Sequence, residues 1–316
     1  MLLHSFSRPV VVIVGATGVG KSDFAIRLAK WLDAEIVSAD SRLFYRGMDI
    51  GTAKPSKKMQ AEIPHYLIDV VDPDETWSLA VFQKEAKKAI DVIHEKGKTA
   101  IIVGGTGQYI RAVLEEWELP PQSPDMNIRK TLENWANEIG IQELHKKLEL
   151  IDPAAAEKID PTNMRRTIRA LEVILLTGKR FSEQRKKGKP VFDTITIGLW
   201  CPRVELYQII DQRIENMLSL GFVNEVKNLL EKGYPPDSAA MSAIGYKQLI
   251  SYLQGEITYE EAVRLIKRMT RIFVRRQSNW FKQEDPSIHW VRVDESTLIN
   301  ALEMINNKRN WSIHVE

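Results

Sequence analysis

Pro9-Val-Val-Val-Ile-Val-Gly-Ala-Thr-Gly-Val-Gly-Lys-Ser22 decides the fold, because it reads as strand, glycine turn and helix start in immediate succession. Val10 to Val14 is a β-branched run without alternation, as a strand buried on both faces of a parallel sheet requires. Gly15-x-x-x-x-Gly20-Lys21-Ser22 then fits the full G-x-x-x-x-G-K-[ST] spacing, and the amphipathic run Asp23 to Leu32 supplies the helix that the motif needs. The loop Gly15, Ala16, Thr17, Gly18, Val19 and Gly20 is expected to turn backbone N–H groups onto a polyanion. Glycines stand at 15, 18 and 20, where a Cβ would block the loop or its ligand. Lys21 adds a mobile positive charge, and the Ser22 hydroxyl can hold Mg²⁺ against the same phosphates. The motif specifies a di- or triphosphate with magnesium. It leaves open whether a phosphoryl group moves, a nucleotide switches, or pyrophosphate leaves.

The next segments supply candidate chemistry. Ala34 to Asp40 reads as a short strand ending in a carboxylate, and ligands of open parallel sheets sit beyond the carboxyl ends of strands. Asp40 therefore suits a general base that orients an incoming acceptor, with a turn or N-cap aspartate as the plain alternative. His65 to Asp72 reads as a third short strand running into a turn, and Ser78 to Glu95 as a helix. Thr99 to Val103 is a fourth strand, running into Gly104-Gly105-Thr106-Gly107. A P-loop ATPase ends such a strand in an aspartate for Mg²⁺, and none stands here, which weakens a hydrolytic reading. Thr106 offers a hydroxyl, and the glycines are expected to let a substrate approach the backbone closely.

The proline cluster Leu119-Pro-Pro-Gln-Ser-Pro124 marks a boundary. Helical periodicity follows over 128–139, 141–150 and 165–176, closed by the basic linker Lys186 to Pro190. Thr194 to Trp200 then returns as a strand. The expected architecture is α/β: a P-loop NTPase-like parallel sheet core flanked by helices (1–119 and 191–316), with an inserted all-helical domain (120–190). The second half is largely helical, over 203–219, 223–230, 243–253 and 258–281. A last strand is expected at His289 to Val293, and a last helix at Glu295 to Asn307. Arg213, on the helix after the returning strand, either faces the phosphates or is an exposed helix arginine.

Length and composition narrow the class. At 316 residues, with 44% hydrophobic and 27% charged residues, the chain can bury a sizeable core. No apolar run approaches the ~18 residues of a bilayer span, and Met1 to Pro9 is a poor signal peptide, so a cytoplasmic protein is expected. The single cysteine, Cys201, excludes an internal disulfide and a cysteine-based zinc site. The formal charge of +2 hides two basic stretches, Arg165 to Lys189 and Arg264 to Lys282. These are solvated helix faces or the footprint of a polyanion larger than the P-loop ligand.

Taken together, Gly15-Ala-Thr-Gly-Val-Gly-Lys-Ser22, Ser38-Ala-Asp-Ser41, Tyr45-Arg-Gly-Met-Asp-Ile-Gly-Thr-Ala-Lys-Pro55, Val103-Gly-Gly-Thr-Gly-Gln-Tyr109, Arg169-Ala-Leu-Glu172, Ala243-Ile-Gly-Tyr-Lys-Gln248 and Arg275-Arg-Gln277 with Trp280 resemble the tRNA dimethylallyltransferases. These enzymes prenylate adenosine 37 beside the anticodon. The resemblance covers roughly residues 10 to 290. Its departures are small: Ser22 stands where the family often has threonine, and the zinc-finger extension of eukaryotic relatives is missing. It implies that dimethylallyl diphosphate lies in the P-loop, held by Lys21 and by Mg²⁺ through Ser22. Asp40 would act as general base on the adenine N6 amine, Thr106 would position Asp40 or the substrate, and Arg213 would help Lys21 stabilise the leaving pyrophosphate.

The tRNA anticodon stem-loop is then expected against Asp40, Ser41, Arg42, Leu43, Arg129, Arg165, Arg166, Arg169, Arg271, Arg275 and Gln277. Its adenine would be turned out of the stack. A monomer is the default. The competing readings are a small-molecule P-loop kinase and an RNA-binding NTPase without prenyl transfer.

Overall fold

The computed structural model describes residues 9–119, 126–184 and 187–309. Residues 1–8, 120–125 with most of the proline cluster, Arg185 and the first linker residue Lys186, and 310–316 lie outside the described residues. Contacts divide the chain into two units, Met1–Leu114 with Val191–Glu316, and Glu115–Pro190, so the division falls ahead of the proline cluster.

In the first unit β1 (Val10–Gly15) leads to α1 (Lys21–Leu32) and β2 (Ala34–Ser38). Next come α2 (Lys57–Glu62), β3 (His65–Tyr66), α3 (Leu79–Glu95), β4 (Thr99–Val103) and α4 (Gly107–Leu114). The second unit holds α5 (Met126–Ile139), α6 (Ile141–Ile151), α7 (Pro153–Ala156) and α8 (Met164–Thr177). The chain then resumes the first unit with β5 (Thr194–Trp200), α9 (Arg203–Ser219), α10 (Phe222–Glu231), α11 (Tyr246–Leu253), α12 (Tyr259–Gln277), β6 (Ile288–Arg292) and α13 (Thr297–Arg309).

All strand pairs in the six-stranded sheet are parallel, in the order β3-β2-β4-β1-β5-β6. β1 is central: Val12 lies opposite Ile102 of β4 and Thr196 of β5, and Val10 to Val14 are wholly buried. Each such valine contributes about 1.5–3 kcal/mol by leaving water, which is why the run tolerates no polar face. From β1 the chain crosses towards β2, and from β4 it crosses the other way towards β5. The ends of β1 and β4 are thus a switch point, and the crevice beyond them is where such a sheet binds ligands. The loops after β1, β2 and β4 all open on that edge.

The third strand is short, as expected, and covers only His65–Tyr66. Leu67 and Asp69 take positive φ (62° and 56°), which ends the strand after Tyr66. The backbone of 69–71 pairs instead with Leu43, Phe44 and Arg46, so this segment braces the loop after β2 rather than extending the sheet edge. The helix expected from Ala243 begins only at Tyr246, because Gly245 (φ 96°) turns the chain there.

The second unit has its own core of Leu132, Leu144, Leu148, Ile159, Ile168 and Leu171. Asp152 is fully buried and caps α7 through Ala155 N–H (3.1 Å), while also accepting Ser182 N–H (2.8 Å) and Ser182 Oγ–H (2.7 Å). Burial alone would raise its pKa, but these donors hold the carboxyl below the usual aspartate range.

Candidate active site

The loop after β1 has the geometry its sequence requires. Gly15, Gly18 and Gly20 all take positive φ (144°, 89° and 92°). A Cβ on Gly15 would sit 2.5 Å from Leu199 O, so β5 itself enforces that glycine. Gly20 caps α1 without a side chain, leaving the helix N-terminus and its dipole directed at the loop. Lys21 Nζ rests on Ala16 O at 2.8 Å, folded back over the cradle. Burial, with help from the nearby Arg213 charge and against the pull of Asp40, lowers its pKa to about 8. Arg213 is also drawn down by burial and opposed by Asp40 and Asp23, so it is a semi-buried cation of this site rather than a solvated helix arginine.

Asp40 follows β2, held by an exchange between strand ends in which Ala39 N–H donates to Val103 O at 2.8 Å. Its Oδ1 accepts Arg42 N–H at 2.9 Å, an Asx turn that fixes the carboxylate. Among the described residues Oδ2 has no hydrogen-bond partner. Thr106 Oγ1 accepts Ser41 N–H at 3.4 Å, so its hydroxyl steadies the Asp40-Ser41 turn. Asp40, Lys21, Arg213, Thr106 and Ser22 all line one cavity of about 840 Å³, whose apolar wall includes Ile210, Ile214, Met217, Phe222 and Ile244. The cavity thus brings the Asp40 carboxylate together with Lys21 and Arg213 among its cationic side chains, with an apolar surface beside them.

One expectation needs correction and two are refined by the packing. The glycines after β4 line the cavity, and packing also requires them: a Cβ on Gly104 would meet Ala39 O at 2.4 Å, on Gly105 Gln277 Nε2 at 2.2 Å, and on Gly107 Trp280 Cβ at 2.3 Å. They exist so that β2 and the end of α12 can close on this turn. Gln277 is not a surface residue available to RNA; it is 4% exposed and hydrogen-bonded to the P-loop. Arg271 pairs with Asp211 and lies 5.3 Å from the Tyr207 ring centre, its side chain still 41% exposed.

The other expected RNA contacts divide by environment. Arg42 Nη1 donates to Ala239 O (2.6 Å), and Leu43 is buried beneath it. Arg165, Arg166 and Arg275 are exposed. Arg129 and Arg169 both reach the fully buried Glu172, at 3.2 and 2.9 Å. Together they hold α5 to α8 while each arginine side chain stays about a third exposed (33% and 30%).

Two residues escaped the sequence. Glu225 of α10 accepts Asp49, Ile50 and Gly51 N–H (2.9, 2.7 and 3.1 Å) and the Tyr246 hydroxyl (2.5 Å). Burial and the Glu225 charge together push the Tyr246 phenol far above its usual range. Lys54, buried, bonds Tyr45 O (2.8 Å) and pairs with Asp49 (2.6 Å) and Asp69. These contacts bring together the Tyr45–Pro55 and Ala243–Gln248 motifs, which look unrelated in sequence, as two edges of the cavity.

No group of three or more His, Cys, Asp or Glu side chains among the described residues could hold a metal ion. Ser22 at the start of α1 is a donor suited to Mg²⁺ that arrives on phosphate oxygens and keeps its waters. No helix among the described residues is long and apolar enough to cross a membrane.

Comparison with known proteins agrees with this geometry. A family model described as IPP transferase matches residues 43–284. The tRNA dimethylallyltransferase of Roseiflexus sp. is 49% identical over 92% of this chain and 95% of its own. That of Thermomicrobium roseum is 45% identical over 91% and 87%. The crystal structure of the tRNA isopentenylpyrophosphate transferase of Bacillus halodurans superposes with a TM-score of 0.71, at 40% identity, covering 95% of this chain and 96% of that one. A eukaryotic dimethylallyltransferase acting on tRNA gives 0.81 at 28% identity, covering 98% and 82%.

Proposed function

Because the chain belongs to the IPP transferase family and is a tRNA dimethylallyltransferase with a P-loop NTPase-like fold, we propose that its cradle binds dimethylallyl diphosphate by the diphosphate and that Asp40 is the general base. tRNA is the acceptor substrate. The target we assign is N6 of adenosine 37, turned out of the anticodon loop into the cavity. The amine attacks the allylic carbon, the carbon–oxygen bond to the diphosphate breaks, pyrophosphate leaves, and the N6 proton passes to the partner-free Oδ2 of Asp40. Lys21 and Arg213 stabilise charge gathering on the leaving group, where fixed cations in a semi-buried site act most strongly. Thr106, bonded to Ser41 N–H, holds the turn that aims Asp40. The apolar wall beside Ile210 and Met217 suits a prenyl chain. Ser22 would hold Mg²⁺, whose contribution when bound is to neutralise diphosphate charge.

The observation that carries this reading is Asp40 itself: a fixed carboxylate sharing one cavity with Lys21 and Arg213, across from a fourth-strand turn with no acid to activate water. We further assign RNA phosphates to exposed Arg165 and Arg166 and to exposed Arg268, Arg275 and Arg276 of α12, and take the protein as a cytoplasmic monomer. The kinase and RNA-stimulated NTPase readings are not favoured, since each relative compared above is a tRNA transferase. Incubation with labelled dimethylallyl diphosphate and unmodified tRNA tests the proposal. Label should move to the RNA; label left in the small molecule, or ATP turnover in its place, would overturn it.

A further inference from the structure

Gln277 ends α12 and is nearly sealed from solvent, yet it makes three polar contacts to two different loops. Its Oε1 accepts Thr17 N–H at 2.8 Å. Its Nε2 donates to Gly105 O at 3.1 Å and to Thr17 Oγ1 at 3.3 Å. The two backbone partners demand opposite polarity, since an amide N–H needs an acceptor and a carbonyl needs a donor. A primary amide supplies both at this reach, whereas a carboxylate would face the Gly105 carbonyl with a like partial charge.

The contacts continue on both sides. Thr17 sits in the P-loop between Gly15 and Gly18, so its bond to Gln277 ties the cradle's backbone to the end of α12. On the other side Gly105 adjoins Thr106, whose Oγ1 accepts Ser41 N–H, and Ser41 follows Asp40. One path therefore runs from cradle to base: Thr17, Gln277, Gly105, Thr106, Ser41, Asp40.

We infer that Gln277 is a positioning residue that sets the leaving-group cradle and the general base at a fixed spacing, rather than a contact to RNA. This rests on the assignment of the diphosphate to the cradle and of the base to Asp40. It also gives the neutral amide a reason to be where it is: the spacing decides whether N6 and the allylic carbon meet in line, and a misplacement of about 1 Å costs on the order of 100-fold in rate.

The test uses full-length wild type, Gln277→Met and Gln277→Glu, with inorganic pyrophosphate binding by calorimetry, steady-state prenyl transfer, and tRNA binding by filter assay. For Gln277→Met the expected result is pyrophosphate binding weakened roughly 10-fold and kcat lowered on the order of 10–100-fold. tRNA affinity should hold within about twofold, because no RNA contact is lost. For Gln277→Glu, activity relative to wild type should rise as pH falls from 8 to 6, because a protonated carboxyl again both accepts from Thr17 and donates to Gly105. Thermal melts of the Glu variant at pH 6 and 8 separate this from a folding defect, which protonation would relieve as well: the activity ratio should rise while the protein is folded at both pH values. If Gln277→Met were unfolded in a thermal melt, the pH ratio of the Glu variant would decide alone. A flat ratio, unchanged pyrophosphate affinity, or a loss confined to tRNA affinity would overturn the inference. If wild type bound pyrophosphate but moved no prenyl group to tRNA, the functional reading would fail separately.

Discussion

The lowered pKa of Lys21 makes the cradle's affinity for diphosphate depend on pH in a range where ordinary lysines are silent. A bound polyanion beside the ammonium raises its pKa above the free value. Binding therefore takes up a proton between the two, and affinity falls as pH rises through the free value. With that value at about 8, about 90% of the free protein carries the proton at pH 7 and about 10% at pH 9, so affinity should fall about tenfold. A solvated lysine would change by only about 4% over the same span. Calorimetric titration of dimethylallyl diphosphate at pH 7, 8 and 9 measures this directly. Dividing by the affinity of Lys21→Met cancels the ligand's own ionisation. Two buffers of different ionisation enthalpy at pH 8 should also reveal uptake of about half a proton. A wild-type to variant ratio that stays constant from pH 7 to 9 would refute the reasoning, since it would mean Lys21 is fully charged throughout.

Asp40→Asn keeps an acceptor for Arg42 N–H and should lower kcat about 10²–10⁴-fold while diphosphate affinity holds; a calorimetric loss of affinity would instead make Asp40 a metal ligand. Glu225→Ala strands three amides and the buried Tyr246 hydroxyl, and should lower stability by about 2–4 kcal/mol in urea melts. Reversing Arg165 and Arg166 together should weaken tRNA binding and reduce the slope of log affinity against log salt by about 1.4–1.8, whereas Arg169→Glu should show in the melt, on the order of 3 kcal/mol, because it takes a partner from buried Glu172.

What the sequence revealed was what local spacing determines. The P-loop, the valine strand beside it and the acid-ended second strand are each written within a dozen residues, and the structure has them on one sheet edge. The third strand is present but only two residues long, because Leu67 and Asp69 take left-handed backbone and the partners at 43–46 claim the residues after it. Arg129, outside both basic stretches, and Arg169 and Arg271 within them are expected at RNA and are also ion-pair partners inside the protein. Their carboxylate partners come from another helix or the neighbouring turn, which charge counting does not see. Glu225 carries no motif at all; only the folded chain shows that the three amides it gathers belong to a loop 174 to 176 residues away.

The glycine turn after β4 answers to two constraints at once. Its missing acid argues against water activation, and Gly104, Gly105 and Gly107 line the cavity as openness to substrate requires. The contacts add a second reason, because each hypothetical Cβ collides with protein: the Ala39 carbonyl, the Gln277 amide, the Trp280 side chain. An acidic side chain could not be introduced there without displacing the end of β2, which carries Asp40, or the end of α12, which carries Gln277. The fold has used that position to lock base and cradle together. Restoring an acid, for instance Gly105→Asp, should therefore abolish prenyl transfer without creating an ATPase, which links the absence of hydrolytic machinery to the presence of a positioned base.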